Sequence, residues 1–191
     1  MRSIRKKLLP TCLILSSIAT LAGCAVPIPM EQSPDEWNIP PSSLQDGLSL
    51  SAHGYQQFRC SSDSQGYYWQ FVKTEADLYD TLQAVASFFT NVPPVGKLVA
   101  YSGTKQTFTH FDGSSVRTTE IIRNTPSSNN RNLSSLMLRA KATGRENRAF
   151  DSVRTILRTN TSGGMPTMAC GASYLGKLHS SEFSATYTFL K

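Results

Sequence analysis

The sequence predicts a mostly β fold: a single antiparallel β-sandwich or barrel-like domain with one helix, behind a signal peptide and a proline-rich tether. Three observations predict it. Short runs of alternating apolar and polar residues recur from residue 48 to the C-terminus, the period of a half-buried strand. Clusters of Gly, Asn, Asp and Ser punctuate these runs, as turns do between antiparallel neighbours. Only one stretch, residues 74–89, takes up a helical period, so there is no βαβ alternation.

The elements follow in chain order. Arg2, Arg5, Lys6 and Lys7 precede an uncharged, mostly apolar run over residues 8–21, closed by Ala22 and Gly23. That run falls short of the roughly 20 apolar residues of a spanning helix and reads as a secretion signal. Leu21-Ala22-Gly23-Cys24 resembles the bacterial lipobox. The resemblance implies cleavage after residue 23 and acylation of Cys24, so that a lipid bilayer is the partner engaged through that residue. Each buried methylene of an acyl chain contributes about 0.8 kcal/mol. Ala25, where Asp would resemble an inner-membrane retention signal, implies a bacterial outer-membrane lipoprotein with its domain in the periplasm. The chain thus divides into a signal peptide (1–23), a lipidated Cys with its tether (24–45) and a β domain (46–191).

Pro27, Pro29, Pro34, Pro40 and Pro41 bar both helix and central strand from the tether. Trp37 and Ile39 are its apolar exceptions and are expected to pack on the domain. The formal charge of +6 misleads. Four of the 19 Lys and Arg lie in the signal and none of the 13 acids does, leaving about +2 on the mature chain, which gives no argument for nucleic-acid binding. Of the four cysteines, Cys12 leaves with the signal and Cys24 carries lipid. Cys60 and Cys170 remain, an even pair for an oxidising compartment, and are expected to form a disulfide. Neither a redox nor a metal C-x-x-C is present.

In the domain, Leu48, Leu50 and Ala52 alternate with Ser49 and Ser51 as a first strand. His53-Gly54 reads as a bend, residues 55–60 as a second strand and 61–66 as a polar turn. Residues 67–72 are aromatic and β-prone, with Trp69 and Phe71 on one face. Leu78, Leu82, Val85 and Phe89 then fall at helical spacing behind a Thr74/Asp77 capping box, and Pro93-Pro94 ends the helix. Residues 97–101 make a short strand; 106–111 and 115–122 form a hairpin about Asp112-Gly113. After a polar loop (124–135), residues 136–139 form a strand. Val153, Thr155 and Leu157 then alternate against Arg154, Ile156 and Arg158, before a turn at 160–164. Phe183, Ala185, Tyr187 and Phe189 give the cleanest strand, for about nine in all.

Arg158-Thr159-Asn160-Thr161-Ser162-Gly163-Gly164, followed by Pro166 and Cys170, resembles a motif of the "domain of unknown function 3455" family. Further likenesses are Gly54-Tyr55-Gln56 with Cys60 and Trp69, the Phe108-to-Ser114 turn, and Tyr187-Thr188-Phe189. Phe108 stands where that family usually has Trp, and residues 78–95 look like an insertion. The resemblance spans about residues 48–190 and implies a secreted or envelope β protein.

Candidate functional residues are few. Gly163 and Gly164 permit positive φ or close backbone approach, while Arg158 with Asn160 and free glycine N–H groups would suit an anion. His110 beside Asp112, and Trp69, extend this candidate ligand set. Tyr55, Tyr67, Trp69, Phe108 and Tyr187 can either fill the core or line a cavity. His53, His110 and His179 lack metal spacing, and neither G-x-S-x-G nor G-x-G-x-x-G is present. The expectation is a non-catalytic domain that binds an envelope protein or a small ligand, with no cofactor, metal or nucleic acid. A periplasmic hydrolase and a structural accessory of an envelope assembly are the alternatives.

Overall fold

The computed structural model describes residues 46–81, 92–143 and 147–191, together with Trp37, Ile39 and Leu44. Eight strands form a closed barrel in which each pairs antiparallel with the next and the last returns to the first. They are β1 (Leu48–Asp63), β2 (Gly66–Asp80), β3 (Gly96–Ala100), β4 (Gln106–His110), β5 (Ser115–Thr125), β6 (Ser135–Thr143), β7 (Thr155–Gly163) and β8 (Leu178–Leu190). An even number of up-and-down strands lets β8 close on β1 and leaves no edge for another chain to extend. An eight-stranded barrel is just wide enough to be filled by side chains or to hold one small ligand.

This barrel is packed with side chains toward one end and hollow toward the other. Inward positions of every strand build the core: Leu50, Leu78, Leu98, Phe108, Val116, Leu138, Ile156, Tyr187 and Phe189 are all buried. The Phe108 ring stands edge-on to Tyr187 and Phe189, with centroids 4.9 and 5.2 Å apart. Phe150, from the β6–β7 connection, stacks 4.5 Å from Phe189 and plugs this end. Toward the other end the inward residues turn polar: Gln56, Thr74, Gln106, Thr118, Arg158 and Ser181 are buried there. The β1–β2, β3–β4, β5–β6 and β7–β8 connections all lie at this polar end.

A disulfide joins Cys60, near the end of β1, to Cys170 in the β7–β8 connection, with Cα atoms 5.4 Å apart. Backbone hydrogen bonds from Cys60 to the Lys177 carbonyl and from Gly176 to the Cys60 carbonyl hold the same connection. On the outer wall, Trp37 packs with Leu157 and Leu190, beside Ile39, Leu44 and Met137. The tether therefore ends against the barrel, as Trp37 and Ile39 suggest.

The predicted helix is overturned over residues 74–80, which complete β2. Thr74, Ala76 and Leu78 face inward, in register with Gln56, Gly54 and Ala52 of β1. A spacing of four residues satisfies a strand as well as a helix, so Thr74 and Leu78 mark one face in either. The part of that helix over residues 82–89 lies outside the described residues, as do the signal, Cys24 and all five prolines of the tether. Ala172–Tyr174 forms a 3-10 turn, and among the described residues no helix is long and apolar enough to cross a membrane.

The barrel also settles three smaller readings. His53-Gly54 is no bend, because β1 runs through it, so the two predicted strands are one. The alternation around residue 157 now has its two sides: Ile156 belongs to the interior core, whereas Leu157 faces out and is covered by Trp37. The predicted turn at 160–164 belongs largely to β7, whose pairing with β8 shifts between Thr159 and Ser162.

Candidate functional site

The polar end of the barrel encloses a cavity of about 260 Å³. Strand alternation sends Gln56 and Phe58 from β1, Thr74 from β2, Gln106 from β4, Ile121 from β5 and Arg158 from β7 to its wall. Phe71, Leu133 and Met165 add apolar surface, and Tyr187 links the cavity to the packed core. The Phe58 and Phe71 rings meet edge-on at 6.0 Å. This is the combination expected of a small-molecule site: concave, partly apolar, with a few fixed polar groups.

Arg158 dominates its electrostatics. It is 7% exposed and, among the described residues, is the one charged side chain on the cavity wall. Its Nε donates to the Ser134 carbonyl at 3.0 Å, and it stands opposite Tyr187 in the pairing of β7 with β8. Burial pushes the Tyr187 phenol above its ordinary pKa, and Arg158 offsets this only in part. Among the described residues no carboxylate is paired with Arg158. A buried charge is costly unless paired, so this arginine stands out. Nearby, Thr118 accepts the Gln106 N–H and donates to the Thr104 carbonyl, while Gln106 Nε2 donates to the Gly103 carbonyl.

Of the six residues singled out as a possible ligand site, the cavity gathers Arg158 alone. Asn160 is exposed, with φ 50°, and its amide reaches Thr186 Oγ1 at 3.4 Å. Gly163 and Gly164 adopt φ 72° and 95°. Their N–H groups are used within the fold, Gly163 donating to Asn132 Oδ1 and Gly164 to the Glu182 carbonyl. A Cβ on Gly163 would lie 2.4 Å from the Glu182 carbonyl oxygen. The double glycine is thus a seam between β7 and β8.

His110 and Trp69 stand elsewhere. His110 sits at the plugged end, where its Nδ1 accepts the Asp112 N–H at 3.1 Å and its ring faces Phe150 edge-on. Asp112 receives the N–H of Ala149 at 2.8 Å and both the N–H and hydroxyl of Ser114. Burial opposes its charge, but these donors and the neighbouring His110 hold its carboxyl well below the usual range. Trp69 donates to the Met168 carbonyl at 2.7 Å and lies 5.3 Å from the His179 ring. Among the described residues no histidine is hydrogen-bonded to a serine hydroxyl, and no three His, Cys, Asp or Glu groups converge on a metal position.

Two wider furrows, of about 530 and 420 Å³, run along the outer wall on either side of His53 and Tyr55. They are open to solvent. Sequence reasoning missed Gln56, Thr74 and Gln106 on the inner wall. Gln56 carried a signal: it keeps the inward phase of Leu50 and Ala52, and a polar residue on a core phase marks a wall that is not filled by core.

The chain matches the family described as a protein of unknown function (DUF3455) over residues 41–191, and it belongs to that family. The match begins a few residues before the resemblance read at residue 48 and takes in every strand. No curated protein and no solved structure matches the chain.

Proposed function

We propose that this DUF3455 protein is a bacterial envelope lipoprotein, held in the outer membrane by acylated Cys24, whose barrel is a non-catalytic binding domain for a small ligand. On this reading residues 1–23 are the cleaved signal, 24–45 the anchored tether and 46–191 the binding domain, with the barrel in the periplasm. The observation that carries the binding role is the cavity of about 260 Å³ inside a closed barrel, lined by one buried cation and several neutral polar groups. A disulfide of 110-residue separation suits an oxidising compartment.

A second reading, an accessory of an envelope assembly, draws on the surface. Among the described residues, all but Phe111 of the exposed large apolar side chains, Tyr67, Tyr101, Met168 and Leu175 included, lie toward the open end of the barrel. In-cell crosslinking of wild type and Cys24→Ala, with palmitate labelling and membrane fractionation, separates the cases. Labelled wild type recovered alone in outer membranes supports the ligand-binding lipoprotein. A stoichiometric envelope protein recovered with it favours the accessory. If both forms fractionate alike as soluble protein, the anchor is wrong.

A further inference from the structure

We infer that the cavity at the open end selects a monoanionic, carboxylate-bearing small molecule with an apolar body, the carboxylate meeting Arg158 and the body lying against Phe58, Phe71 and Met165. The inference rests on the small-ligand reading above and adds the class of ligand.

The single charge follows from the wall. Arg158 is buried, faces the cavity and has no carboxylate partner among the described residues. A planar guanidinium is shaped for a carboxylate. A dianionic phosphate would need further donors. Among the described residues no lysine or histidine lines the cavity, and the Gly163 and Gly164 N–H groups that could have formed an anion cradle are already bonded within the fold. One cation among neutral polar groups therefore matches one negative charge.

The size and the apolar body follow from the rest. A volume of about 260 Å³ is that of roughly nine water molecules, so it takes a compact acid and excludes a whole phospholipid or a folded peptide. From Arg158 and Tyr187 at the inner limit, the wall passes to Phe58, Phe71, Ile121 and Met165. Met165 lies in the β7–β8 connection and is 38% exposed, which places an adaptable apolar side chain at the entrance. An acid entering charge-first would leave its apolar part among these side chains.

The experiment is calorimetric titration of the full-length oxidised protein with hydrocinnamate, octanoate, hydrocinnamyl alcohol and inorganic phosphate. Wild type, Arg158→Met and Arg158→Lys are compared. Met fills the arginine's volume without its charge, and Lys keeps the charge. The expected result is saturable 1:1 binding of an acid by wild type, at least about tenfold tighter than the alcohol, as one charge-assisted contact would give. That preference is lost in Arg158→Met and kept in Arg158→Lys. Equal binding of acid and alcohol overturns the anionic class and leaves the small-ligand cavity standing. Phosphate binding more tightly than either acid overturns the carboxylate. If no compound binds a protein that melts cooperatively, the inference and the small-ligand reading fall together.

Discussion

At the scale of single residues, Gly163 and Arg158 lie five positions apart on β7 and do opposite things. Gly163 solves a backbone problem. Its φ of 72° and the Glu182 carbonyl 2.4 Å from where a Cβ would stand leave no room for a side chain. Gly163→Ala is expected to destabilise the domain by about 2 kcal/mol or more, read as a lower urea midpoint with unchanged slope. Arg158 instead carries a cost that the packed fold does not repay. Burying a charge without an ionic partner costs free energy, and an apolar side chain of similar volume removes that cost. Arg158→Met should therefore keep or raise the melting temperature of the ligand-free protein; a large drop would show that the arginine is structural. Both residues were legible in one motif, the Arg158-to-Gly164 stretch that resembles the family's own. What each does was not. Whether the glycine amides were free depended on Asn132 and Glu182, and no local pattern names those partners.

At the scale of elements, the β4–β5 turn shows how a short signal acts at a distance. Asp112-Gly113 reads as a hairpin turn, and a hairpin stands there. Asp112 also reaches across the end of the barrel to the Ala149 N–H, and Ser114 Oγ accepts the Phe150 N–H, so the turn holds the loop that delivers the Phe150 plug. The Asp112 carboxyl is depressed below its ordinary value of 3.8. Its contribution is then fully present above that value and is lost as pH falls below it toward the folded-state pKa. Asp112→Asn should cost about 1 to 3 kcal/mol at neutral pH, by leaving buried donors poorly matched. It should also flatten the loss of stability between pH 5 and pH 2 seen for wild type, a comparison that urea titrations at several pH values make directly. A mutant with the same acid dependence as wild type would assign that dependence to other carboxylates. The misread helix belongs to this scale too. β2 carries Thr74 and Leu78 four residues apart, and only its pairing with β1 and β3 decides which period that spacing serves.

At the scale of the whole molecule, strand alternation made the β class legible but could not separate a sandwich from a barrel. Closure is one pairing, β8 on β1, between residues such as Leu50 and Tyr187 that lie far apart in the chain. The cavity was illegible for the same reason, since its wall takes one or two residues from most strands and exists only once the sheet has closed. The Cys60–Cys170 disulfide spans 110 residues and fastens the end of β1 to the β7–β8 connection beside the mouth. In the chain-entropy account a loop of that length contributes about 4 to 5 kcal/mol, large against the 5 to 15 kcal/mol of a typical domain. Reduction should therefore lower the urea midpoint sharply, and Cys60→Ser with Cys170→Ser should match the reduced protein. Hydrogen exchange adds the local half of the test. The N–H groups of Cys60 and Gly176 bond across the two segments that the disulfide joins, so they should lose protection on reduction before those of β4 and β5, whose packing the bridge does not touch. Uniform loss along all strands would mean that the bridge acts on the unfolded chain alone, and unchanged protection at Cys60 and Gly176 would mean that backbone pairing by itself holds the mouth.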